Sequence, residues 1–155
     1  MAPVLHKLGF ASMSLLPLVS IFVLGALFPP SDTEYTPTFQ PPGWVFGVVW
    51  TYVSLAFGLV SAFAASRHSE HIYTTIAFYV IVLSGLLAWL PVNHAKEYAA
   101  GFGLLLYTAF LAIGYLGYLG ALRVGWSLVA LLPLPFWLVI AASLNAVIYD
   151  RDVNP

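Results

Sequence analysis

Phe39-Gln40-Pro41-Pro42-Gly43-Trp44-Val45-Phe46 runs without a break into an apolar stretch that contains Trp50. Two consecutive prolines lock φ and offer no N–H, so a helix can start just after Pro42 but cannot pass through it. Trp44 then falls at the helix entrance, and an amphipathic indole favours a membrane surface. Phe46 and Trp50, spaced i to i+4, share one helix face that points deeper. The stretch reads as the mouth of a membrane helix, with the rest of the chain as walls around it.

Composition supports that reading. The chain is 61% hydrophobic and 7% charged over 155 residues, whereas a soluble domain carries about 25% charged residues. A net charge of −1 supplies no basic field, so nucleic acid is excluded as a partner. Without cysteine there are no disulfides, thiolate nucleophiles or Cys-ligated metals.

Apolar runs at 8–28, 44–65, 72–92, 99–122 and 126–149 each match the roughly 20 residues that cross a hydrocarbon core as helix. The expected fold is an all-α membrane protein, a single domain of five transmembrane helices. The first run is read as a span because it exceeds a signal-peptide core of about 7–15 residues, and Gly25-Ala26-Leu27-Phe28 makes a poor cleavage site. Every Lys, Arg, Asp, Glu and His falls in a connector or at a terminus, as the cost of a mid-bilayer charge demands. Five spans put the termini on opposite sides. Side A holds the N-terminus, the 67–71 connector and Arg123; side B holds the 29–43 loop, the 93–98 connector and the C-terminus. Three Lys and Arg on side A against two on side B leave the absolute orientation undecided.

The 29–43 loop is long for a compact bundle, and Pro29, Pro30, Pro37, Pro41 and Pro42 stiffen it. It is expected to act as a lid, with a solvated tether as the alternative. Trp50 lies about 10 Å below it at 1.5 Å rise per residue. Trp89 ends span three near side B, Phe39 lies in the lid, Phe102 and Tyr107 open span four, and Trp137 sits near mid-membrane. Aromatic rings from four spans are thus expected to converge under the loop as an apolar ligand pocket; simple core filling or lipid contact is the competing account.

Pro133, Trp137, Ala141 and Asn145 recur every four residues and form one stripe on span five. Asn145 is expected to find a partner within the bundle, for a ligand or as interhelical glue. Gly114, Gly117, Gly120 and Ala121 on span four suit close helix packing, within the bundle or across a homodimer. His68, Glu70 and His71 have metal-compatible spacing but read as a solvated connector. His94 reads as an interfacial histidine, with metalloporphyrin ligation as the other reading. Val147-Ile148-Tyr149-Asp150-Arg151 fits the loose cholesterol-contact pattern.

Three patches resemble the translocator protein family, also called TspO/MBR or tryptophan-rich sensory proteins and formerly peripheral-type benzodiazepine receptors. Phe39-Gln40-Pro41-Pro42-Gly43-Trp44-Val45-Phe46 through Trp50-Thr51 is similar to W-x-P-P-x-W-x-F…W-T. Trp89-Leu90-Pro91 resembles N-x-x-W-[ST]-P, and Pro133…Trp137…Ala141…Leu144-Asn145 resembles P-x-x-x-W…A-x-x-L-N. Phe39 stands where the family has Trp, and Leu86 where it has Asn; Leu90, Ser54, Asn93-His94 and Leu134 also depart from its pattern.

The resemblance implies a five-helix bundle, often homodimeric, that binds porphyrin or haem-type tetrapyrroles, or sterol-like molecules, without an obligatory cofactor. It implies Phe39, Pro42, Phe46, Trp50, Trp89, Trp137 and Ala141 as ligand-binding residues, with Asn145 beside them. Transport or sensing is the expected function, with light- and oxygen-dependent porphyrin degradation as the alternative. An ion-coupled transporter is disfavoured because no ionisable residue lies within the spans.

Overall fold

The fold is that of a computed structural model describing residues 2–29 and 36–153, with side chains from 7 to 29 and from 36 to 151. Helix α1 covers Ala2–Leu27, α2 Gly43–Arg67, α3 Ile72–His94, α4 Tyr98–Ala121, α5 Gly125–Leu131 and α6 Pro133–Val153. The described chain is helical with short connections, and α5 and α6 together make the fifth of five segments long and apolar enough to cross a membrane. Helix α2 begins directly after the Pro41-Pro42 pair, as the missing N–H groups require. The turns after α3 and α4 close through Lys96 and Arg123 in the left-handed region, φ 61° and 58°, where glycine is usual. The expected lid over 29–43 has its middle, residues 30–35, outside the described residues.

Helix α1 lies along α2, α6 lies along α4, and α3 packs against α4. Between helices in lipid, association rests on close packing and buried hydrogen bonds rather than on apolar burial from water. Gly58 lets α1 and α2 touch backbone to backbone: a Cβ there would run into the Ser14 carbonyl. Prolines cost their helices backbone hydrogen bonds, and neighbours take up part of what is released. Pro17 has no N–H for the Met13 carbonyl four residues back, and the Tyr79 hydroxyl of α3 donates to that carbonyl at 3.0 Å. At the end of α5, just before Pro133, Tyr52 of α2 donates to the Ala130 carbonyl at 3.1 Å, one of the terminal carbonyls a helix leaves open. Pro133 thus divides the fifth span into two helices.

The core lies between α2, α3, α4 and α6, around Phe57, Tyr79, Leu86, Leu105, Tyr115 and Leu138. Helix α1 stays at the periphery, with Val19, Phe22, Val23 and Leu27 exposed on its outer face.

Candidate functional site

On side B, α1, α2, α3, α4 and α6 enclose a cavity of about 420 Å³, within the roughly 300–1,000 Å³ of small-molecule sites. One wall is a pair of indoles: Trp50 of α2 and Trp89 of α3 stack with centroids 5.9 Å apart and planes 24° from parallel. Phe46, one turn before Trp50 on the same face, adds a third aromatic side chain. Ala141 and Asn145 of α6 add to the lining, and the Ala141 side chain is small. Gln40 reaches the cavity from the segment ahead of α2, where its N–H closes a turn onto the Pro37 carbonyl at 2.9 Å. The described lining contains no Asp, Glu, Lys, Arg or His, so its chemistry is apolar and aromatic contact with a few neutral polar groups.

Asn145 is 3% exposed. Its Nδ2 donates to the Ala141 carbonyl of its own helix at 3.0 Å rather than to a second helix. That bond fixes the amide orientation and turns Oδ1 away from it. Oδ1 has no hydrogen-bond partner among the described residues, and neither has the buried Trp89 Nε1. Both groups border Gly101 of α4: a Cβ there would lie 3.0 Å from Asn145 Oδ1 and 3.7 Å from Trp89 Cδ1. The cavity wall therefore holds a buried acceptor and a buried donor around one glycine, each carrying unmet hydrogen-bonding capacity.

Of the residues expected at the site, Phe46, Trp50, Trp89, Ala141 and Asn145 come together around this cavity. Trp137 does not line it: the indole is buried and meets the edge of Phe46, centroids 5.2 Å apart at 69°. Phe46 thus stands between Trp137 and the open space. Phe39 is 52% exposed in the turn before α2, and Pro42 is exposed at its start; neither is part of the lining. Phe102 and Tyr107 point outward from α4, and the aromatic ring that α4 supplies is instead Tyr98. Helix α1 contributes Ile21 and Phe22, and Phe28 joins them just past its end; the sequence had singled out none of the three for the site.

His94 also lies outside the lining. Its Nδ1 faces the Pro29 carbonyl at 2.8 Å, and because a carbonyl only accepts, the proton is placed on Nδ1. The ring meets Phe28 edge-on at 5.9 Å. His68 and Glu70 approach to 3.7 Å in the connector after α2, and among the described residues no three His, Asp or Glu converge on one point.

The profile of the TspO/MBR family matches residues 13–150, from the first helix to the end of the last. The chain belongs to the TspO/MBR family. It is similar to Protein CrtK of Rhodobacter capsulatus, with 24% identity over 131 residues that cover 78% of this chain and 79% of that protein. Family and helices agree on an integral, multi-pass membrane protein. Within the TspO/MBR pattern, the departures at Leu86 and Leu90 both lie in the cavity wall. Both are alkyl side chains, and Asn145 is the buried amide of the described lining.

Proposed function

We propose that this TspO/MBR protein binds flat, apolar molecules of the tetrapyrrole or sterol-like kind in the side-B cavity, for transport or sensing across or within its membrane. The observation that carries this reading is the near-parallel Trp50–Trp89 pair standing as one wall of an uncharged cavity. A planar ring system laid against an indole of that pair gains offset-stacking contact, and the small Ala141 side chain in the lining takes little of the space. Protoporphyrin titration tests it. Tryptophan emission falls saturably in the unaltered protein, and Trp50→Ala weakens the half-saturation point about tenfold, the equivalent of about 1.4 kcal/mol. Identical titrations in the two proteins would remove the cavity from the reading.

The same proposal includes a homodimer. It is supported by the lipid-facing positions Gly103, Gly117 and Gly120 of α4, where a Cβ would meet nothing within 4 Å, the kind of surface on which a second helix packs closely. Crosslinking in native membranes should give a band at twice the chain mass, and its loss with Gly117→Leu would locate the contact.

A further inference from the structure

The wall that α1 and α2 give the cavity is incomplete. The two helices press together where Gly58 meets the Ser14 backbone. Towards side B, however, the end of α1 is held by α3: Phe28 packs on His94, and the Pro29 carbonyl takes the His94 hydrogen bond. Pinned to α2 at one level and to α3 at the other, α1 leaves the outer part of α2 facing a gap. The edges of that gap are glycines. Gly25 of α1 and Gly43 and Gly47 of α2 all line the cavity, and a Cβ on any of them would meet nothing within 4 Å. Phe22 also lines the cavity yet is 58% exposed, so a single ring is at once inner wall and outer surface.

Phe22 and Gly25 belong to the segment Lys7–Leu27, and Gly47 lies one turn inside Gly43–Arg67. What lies beyond the gap at that depth is hydrocarbon rather than water. We infer that the cavity opens sideways into the side-B leaflet through this glycine-edged seam and takes its occupant from molecules dissolved in the bilayer, an acyl chain standing there when nothing else does. The inference rests on the binding role proposed above only in using the same cavity. It adds that the concentration governing occupancy is the one in the leaflet.

Quenching by brominated acyl chains reads the seam directly. With Trp44, Trp126 and Trp137 replaced by Phe, emission comes from Trp50 and Trp89 alone. In vesicles of dibrominated phosphatidylcholine that emission is expected to fall at least twofold relative to unbrominated vesicles. Gly47→Leu on one edge, or Gly25→Leu on the other, restores most of it by filling the seam. Gly9→Leu near the other end of α1, another glycine with open space around it but away from the cavity, does not.

Equal quenching with and without the two seam variants, or no quenching in the background, overturns the inference. Protoporphyrin titration of the same proteins in detergent separates it from the binding role. Seam-dependent bromolipid quenching without porphyrin binding removes the ligand class and keeps the seam. Porphyrin binding with seam-independent quenching removes the seam and keeps the cavity.

Discussion

The half of the bundle around Tyr115 and the half around Trp50 are built from the same kinds of side chain and finish in opposite states. Around Tyr115, rings stack on rings: Phe57 on Tyr79 at 5.2 Å and 7°, Phe78 on Tyr115 at 5.5 Å and 26°. Each phenol there has a partner, Tyr115 donating to Ser61 at 2.8 Å, Tyr79 to the Met13 carbonyl, and Tyr118 paired with Thr75 at 2.9 Å. Around Trp50 the stacked pair faces empty volume, and the buried polar atoms Trp89 Nε1 and Asn145 Oδ1 have no partner among the described residues. Around Tyr115 the rings and hydroxyls spend their contacts on one another. The half around Trp50 keeps the larger cavity, about 420 Å³, with aromatic surface and hydrogen-bonding capacity in reserve.

The largest effects should separate the two halves. Phe57 is fully buried between Tyr79 and Tyr115, so Phe57→Ala is expected to cost about 3–5 kcal/mol, the usual range for removing a core phenyl ring. A drop of several degrees or more in the melting temperature in detergent is the readout. Trp50→Ala inverts the pattern: that ring borders the cavity, so the melting temperature shifts less than for Phe57→Ala while porphyrin affinity falls about tenfold. If Trp50→Ala destabilises as much as Phe57→Ala, the cavity half is a structural core and the contrast between the halves collapses.

Much of this division was beyond reach in the sequence, for reasons that differ by element. The five spans were legible because every charge sits between them, and the start of α2 was legible because Pro41 and Pro42 lack N–H groups. The rotation of each helix about its axis was not. The stripe Pro133, Trp137, Ala141 and Asn145 steps by four residues in a helix of 3.6 per turn, so each step turns it about 40°. By Trp137 the stripe has left the cavity that Ala141 and Asn145 face, and Phe46 covers it.

Helix α4 carried a readable signal that its aromatic residues obscured. Gly101, Leu105, Thr108, Ala112, Tyr115 and Leu119, spaced by three and four, are its buried face, and Phe102 and Tyr107 fall off that line. Helix α1 offered no such signal. It is apolar on all sides, so nothing in its pattern distinguishes Phe22 and Phe28 at the cavity from Val19 and Val23 in lipid.

The smallest effect is the sharpest test of the difference in polar saturation. Tyr115→Phe deletes the hydroxyl that Ser61 accepts from and leaves a buried serine without it, a loss of about 0.5–1.5 kcal/mol. Asn145→Leu removes a side chain of similar size whose Nδ2 bonds only its own helix and whose Oδ1 has no described partner. Deleting an acceptor that is already unsatisfied removes a desolvation cost, and the carbonyl of Ala141 keeps its place in the helix ladder. Asn145→Leu is therefore expected to change stability by less than about 0.5 kcal/mol, in either direction. Chemical unfolding of both variants in one detergent gives the comparison. If Asn145→Leu costs as much as Tyr115→Phe, Oδ1 is engaged in the folded protein, and Trp89 Nε1, a buried donor without a described partner beside the same Gly101, is the group to test against it. The two halves would then be equally saturated in hydrogen bonds and would differ only in the empty volume beside Trp50.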